Sequence, residues 1–125
     1  MTLRSKARKE ALDHLFEADI RGQEISAASL RDYASEMLIG VKTNKSRIDE
    51  LIRTYVQGWD FDRLPAVDRN ILRLAIWELF WSDVPEAVVI DEALSLAAEL
   101  STEESPNFIH GVLAKLASLK GQIAL

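Results

Sequence analysis

A chain of 125 residues with no cysteine is long enough to bury roughly two-thirds of its unfolded surface in one domain, without disulfide or thiolate-metal staples. Its formal charge of -5 excludes a protein that coats nucleic acid indiscriminately, because a net acidic surface repels phosphate at long range. The charge is unevenly spread: Arg4, Lys6, Arg8 and Lys9 precede the first acid, Glu10, whereas beyond Ser82 seven acids face only Lys115 and Lys120.

Few prolines and glycines and few β-branched runs make helix the dominant expectation. Residues 4 to 20 place Ala7, Ala11, Leu15 and Ala18 on one stripe, with Leu12 and Phe16 beside it, and Gly22 ends the run. A second helix is expected over about 27 to 41, with Leu30, Tyr33, Ala34, Met37, Leu38 and Val41 inward. Gly40 in its last turn suits either a close crossing or a stop. A third helix, about 46 to 58, opens on Ser46 with Asp49 as a capping box and is lined by Ile48, Leu51, Ile52, Tyr55 and Val56. Trp59 is expected to close one end of the core. The link "GWDFDRLP" joins a front half, about 1–60, to a back half, about 61–125, of a single unit.

The stretch "RLPAVDRNILRLAIWELFW" (63 to 81) is apolar around most of a helical circumference, so it reads as the central helix, covered on several sides. Asp68 suits the first-turn dipole, and Arg69 and Arg73 are expected to tie helices together through carboxylates. Pro85 starts a fifth helix that runs to Leu100, with Val89, Ala93, Leu96, Ala97 and Leu100 inward; "AVVI" within it lacks a partner strand elsewhere. The last helix is expected to be capped by Ser105, with Pro106 at its first position, and to use Gly111 for a close helix approach. The simplest architecture is all-α, two three-helix groups sharing a core.

Catalytic chemistry finds little support. His14 and His110 lie far apart and are read as polar contacts, no Gly-rich phosphate cradle or nucleophile elbow occurs, and the adjacent pairs Asp91–Glu92 and Glu103–Glu104 diverge on a helix. No cofactor or metal is expected, and the protein is read as a non-enzyme. No stretch approaches the roughly 20 apolar residues of a bilayer span, and the opening lacks a secretory pattern, so no membrane contact and a cytoplasmic location are expected.

Arg4 and Arg8 are helix-surface neighbours, with Lys6 and Lys9 on an adjoining strip. Together they form a candidate phosphate-contacting surface, to which Lys42, Lys45 and Arg47 add a second contribution. The competing account is a solvated N-terminus pairing with Glu10 and Asp13.

The blocks "RSKARKEALDHLFEAD" (4 to 19), "LIGVKTNKSRIDELIRTYVQGW" (38 to 59), "RLPAVDRNILRLAIWEL" (63 to 79) and "PEAVVIDEALSLAAELSTEESPNFIHGVL" (85 to 113) resemble, in order, those of the NusB family of bacterial transcription antitermination factors. The resemblance implies two packed three-helix bundles. It also implies recognition of boxA-type single-stranded RNA as a heterodimer with the ribosomal protein NusE, in a complex with other antitermination factors on RNA polymerase at ribosomal RNA operons. Carried onto this chain, the RNA contacts are Arg4, Lys6, Arg8 and Lys9, and the partner contacts are placed at Glu78, Trp81 and Asp83, around an exposed end of the central helix. Some family members form homodimers, which leaves that state open here. Asp91 and His110 stand where asparagine is common in the family, and Ala98 near a common lysine, departures that remove possible RNA contacts from the back half. Two other readings remain at this point: a helical interaction module that binds no RNA, and an isolated N-terminal domain of the kind found in ribosomal RNA cytosine methyltransferases.

Overall fold

The computed structural model describes residues 2–26, 32–56, 58 and 60–125. Their elements are α1 (Leu3–Arg21), α2 (Asp32–Tyr55), a 3-10 turn (Phe61–Arg63), α3 (Ala66–Trp81), α4 (Glu86–Leu100) and α5 (Ser105–Ser118). No strand occurs among the described residues, and "AVVI" lies in α4. No helix among them is long and apolar enough to cross a membrane.

Where the sequence suggests two helices, residues 32 to 55 form one element kinked at Asn44 (φ -109°, ψ 15°). The Asn44 side-chain amide donates to the carbonyl of Gly40 at 2.9 Å, so a backbone acceptor in the disturbed turn is satisfied locally and no loop is needed. The capping role expected for Asp49 is therefore vacant; its carboxylate turns inward instead. The expected start of the second helix at 27–31, Leu30 and Trp59 fall outside the described residues. Counted as two arms, α2 completes one three-helix set with α1, and α3, α4 and α5 make the other.

α3 occupies the centre because eleven of its residues are buried, and α1, α2, α4 and α5 all pack on it. It starts at Ala66, after extended Leu64 and Pro65, since proline holds the preceding residue out of helical conformation. Ile71, Leu72, Ile76 and Leu79 are essentially inaccessible, each contributing about 1.5–3 kcal/mol relative to exposure.

Gly40 resolves as a close crossing: a Cβ there would lie 1.9 Å from the indole nitrogen of Trp77. Gly111 does not, since nothing stands within 4 Å of a Cβ at that position. Ser105 is the first residue of α5 and not its cap. Its buried hydroxyl donates to Asp68 at 2.9 Å, alongside Ser101 on the other carboxylate oxygen. Asp68 thereby anchors the α4–α5 turn to α3, and Leu100, expected inward, is 37% exposed at that turn.

Candidate nucleic-acid interface

The hydroxyl of Thr2 accepts from the amide of Ser5 and starts α1, whose small residues Ala7 and Ala11 allow it to lie against the core at full burial. From there the four cations of its first two turns diverge in role. Arg4 and Lys6 are exposed, and Lys9 is half-buried. The Lys9 ammonium donates to Glu99 of α4 at 2.6 Å; that bond and the Glu99 charge hold its pKa above the ordinary lysine range. Ser5 between them donates to Glu92 at 2.8 Å, a second stitch from α1 to α4.

Arg8 is the exception to the expected surface row. It is 3% exposed, and its guanidinium forks onto Glu78, Nε donating to Oε1 at 2.8 Å and Nη2 to Oε2 at 2.9 Å. Glu92 lies 3.6 Å from its third nitrogen. Burial opposes the charge, but the Glu78 hydrogen bond and the charges of Glu78 and Glu92 outweigh it, so the pKa of Arg8 rises further. Such a planar bidentate pair suits arginine and not lysine.

The same geometry corrects the placement of Glu78. The sequence places it at an exposed end of the central helix, yet it is 2% exposed and accepts a third bond, from the hydroxyl of Tyr33 at 2.6 Å. Its physical reason is position: Glu78 is one turn before the helix end, on the face that meets α1 and α2. Burial, then the Glu78 bond, push the Tyr33 hydroxyl well above the ordinary tyrosine range, so it stays a donor. Tyr33 in turn carries Arg4, whose guanidinium carbon lies 4.4 Å from the ring centroid, with that of Arg8 at 5.8 Å. Tyr33 reads in the sequence as one more inward residue of a helix; nothing local signals that it joins the cations 29 positions upstream.

Lys42 and Lys45 are exposed on α2 on either side of its kink, but they do not join the α1 cluster. Lys42 is 3.7 Å from Glu24, and Lys45 donates to Asp49 at 3.1 Å while lining a cavity with Asp19 and Gly22. Both thus sit by the C-terminal end of α1. Arg4 and Asp19 are fifteen residues apart on one helix, roughly 22 Å at 1.5 Å per residue. Arg47 is occupied by Glu50 and the carbonyl of Ala124.

At the far end of α3, Trp81 is half-buried with its ring edge-on to Phe80, centroids 6.2 Å apart, and Asp83 is exposed. Asp91, Ala98 and His110 are all exposed, so the family departures lie on the surface. Arg69 and Arg73 bridge helices as expected. Arg73 forks onto Asp49 and reaches Asp19 at 3.1 Å, and Arg69 donates to Asp19 at 2.9 Å. Burial would raise the Asp19 pKa, but its bonds to Arg69 and Asn70 and the charges of Arg73 and Arg69 win and lower it. Among the described residues no cluster of three or more His, Asp or Glu side chains is arranged to hold a metal ion.

The class of protein that the fold defines is an all-helical body in which two three-helix sets share a buried central helix, with cations gathered at the start of the first helix. The NusB family model matches residues 5–118, and the chain belongs to the NusB family. The transcription antitermination protein NusB of Nocardioides sp. (strain ATCC BAA-499 / JS614) is 47% identical over 135 residues, covering 99% of this chain and all of that protein. NusB of T. maritima superposes with a TM-score of 0.81 at 36% identity, covering 94% of this chain and 92% of that one. A protein chain in the crystal structure of a plectonemic RNA supercoil superposes with a TM-score of 0.84 at 27% identity, covering 99% and 100% of the two chains. Proteins of this family are RNA-binding transcription antitermination factors and not enzymes; RNA and protein partners come with that membership.

Proposed function

We propose that the whole chain acts as one cytoplasmic RNA-binding unit that recognises boxA-type single-stranded RNA together with the ribosomal protein NusE. In this role it joins other antitermination factors on RNA polymerase elongating through ribosomal RNA operons. The observation that carries the reading is the exposed Arg4 and Lys6, with Lys9 beside them, on a helix pinned to an otherwise acidic body. Their positive groups hold phosphates of a flexible strand whose unpaired bases are free to meet nearby polar or aromatic side chains. Arg8 acts from beneath, fixing the helix through Glu78. Lys42 and Lys45 form a second cationic group near the other end of α1, which suits an RNA segment that runs along the helix. Trp81 and Asp83 are the proposed contacts with the ribosomal protein, Trp81 as an aromatic anchor, with Glu78 supporting that helix end from inside.

Titration of the protein with a short boxA RNA, with and without the ribosomal protein, at several salt concentrations tests the reading. Each phosphate contact contributes about -0.7 to the slope of log K against log salt for a single strand. Replacing Arg4, Lys6 and Lys9 together by glutamine is expected to weaken binding and to reduce that slope by about 2, with the helical circular-dichroism signal unchanged. Affinity that ignores both salt and these substitutions overturns the assignment. Trp81→Ser is expected to weaken binding of the ribosomal protein while sparing direct RNA contact.

A further inference from the structure

The α1 cations differ in what their geometry offers, and the difference is sharpest between Arg4 and its neighbours. An ammonium such as that of Lys6 or Lys9 is a point charge with no plane, and Lys9 is already engaged by Glu99. The guanidinium of Arg4 is planar and lies over the Tyr33 ring, 4.4 Å from its centroid. Among the described residues it forms no ion pair with a carboxylate. Arg4 as a whole is exposed to solvent.

The ring beneath is fixed to an unusual degree. Tyr33 is tied by its hydroxyl to Glu78 at 2.6 Å, and Glu78 is itself buried and held by the fork of buried Arg8. Arg8, Glu78, Tyr33 and Arg4 therefore form a chain of contacts leading from the protein interior to its surface. It ends on the planar, charged guanidinium of exposed Arg4, among the cations described above.

We propose that Arg4 is a base-stacking residue, its outward guanidinium face receiving one unpaired base of the bound RNA, and that Tyr33 with the Arg8–Glu78 pair beneath it are the positioning residues that hold that plane. Arginine planes and aromatic rings are the surfaces on which unpaired RNA bases stack. An arginine already ordered on a ring loses less freedom on binding than a free one. The inference rests on the RNA-binding reading above and deepens it: α1 contributes a seat for a base as well as phosphate contacts.

The test uses fluorescence anisotropy with a single-stranded boxA RNA and a panel of the same RNA carrying one abasic nucleotide at each position in turn. Arg4→Lys keeps the charge and removes the plane. Its expected effect is a loss of about five- to tenfold in affinity, the lower end of what stacking on one base contributes, with an unchanged salt slope because the charge count is the same. On the RNA abasic at the seated position, wild type is expected to fall to the level of Arg4→Lys, and the variant to lose nothing more. Tyr33→Leu should reproduce the loss, and Tyr33→Phe, which restores the ring without its tie to Glu78, should recover part of it. Equal affinity of Arg4→Lys and wild type for intact RNA overturns the proposal, as does an identical loss on every abasic RNA. Should Tyr33→Leu fail to fold, the exposed Arg4→Lys variant and the abasic panel decide the matter alone. A wild-type protein that binds no boxA RNA removes both the general reading and this inference, whereas binding that is indifferent to the Arg4 plane removes only the latter.

Discussion

Glu78→Ala isolates what the buried Arg8–Glu78 pair does for the fold. Both side chains are at most 3% exposed, so the substitution strands a guanidinium away from water with only Glu92, at 3.6 Å, to balance it. It also takes the acceptor from Tyr33. Breaking one partner of a buried pair costs about 3–5 kcal/mol, because the remaining charge is uncompensated. For 125 residues, an unfolding entropy of about 2.1 cal/mol/K per residue converts each kcal/mol to roughly 4 °C, which predicts a fall in Tm of about 11–19 °C. Replacing both partners, as in Arg8→Met with Glu78→Leu, removes the desolvation cost along with the attraction, and is expected to restore most of the loss. Urea unfolding followed by circular dichroism, with a thermal scan beside it, measures both. A Glu78→Ala loss below about 1 kcal/mol, in the range of an exposed pair, would refute the reasoning, and so would a double variant as unstable as the sum of the singles.

Two glycines should respond to alanine with opposite signs. Gly40→Ala drives a methyl group into the Trp77 indole and is expected to destabilise by about 1–3 kcal/mol despite a helix-propensity gain of about 1 kcal/mol. Gly111→Ala, meeting nothing within 4 Å on α5, is expected to stabilise by about 0.5–1 kcal/mol; denaturant midpoints of the two variants check both signs. The depressed pKa of Asp19 gives the acid limb of stability a defined sign. Its contribution is complete above the unfolded value near 3.8 and is lost as pH falls below that toward the folded value, because protonation releases Arg69 and Arg73. Asp19→Asn should lower stability at pH 7 and flatten its decline as pH falls below the unfolded value, as urea midpoints taken through that acid range will show.

Much of this molecule is legible in its sequence because helices announce themselves over short distances. The stripe Ala7, Ala11, Leu15 and Ala18, the proline before α3, and the near-complete apolar girdle from Val67 to Phe80 each follow from a period of 3.6 residues and from backbone chemistry within a few positions. They set the fold class, the central place of α3, and the row of cations at the start of α1. Family blocks in the right order add the antitermination role.

Tertiary packing decided which charges are free. Arg8 and Arg4 are spaced alike on α1, yet one is sealed against Glu78, 70 positions away, and the other lies on Tyr33 at the surface. Glu78, Asp49 and Asp68 read in the sequence as an exposed contact, a capping residue and a first-turn charge, and each is buried by partners on other helices. Periodicity states only which side of a helix a residue occupies. Whether that side meets water or another chain segment depends on crossing points such as Gly40 on Trp77, and these exist only once the helices have packed, because burial and ion pairing are properties of assembled surfaces.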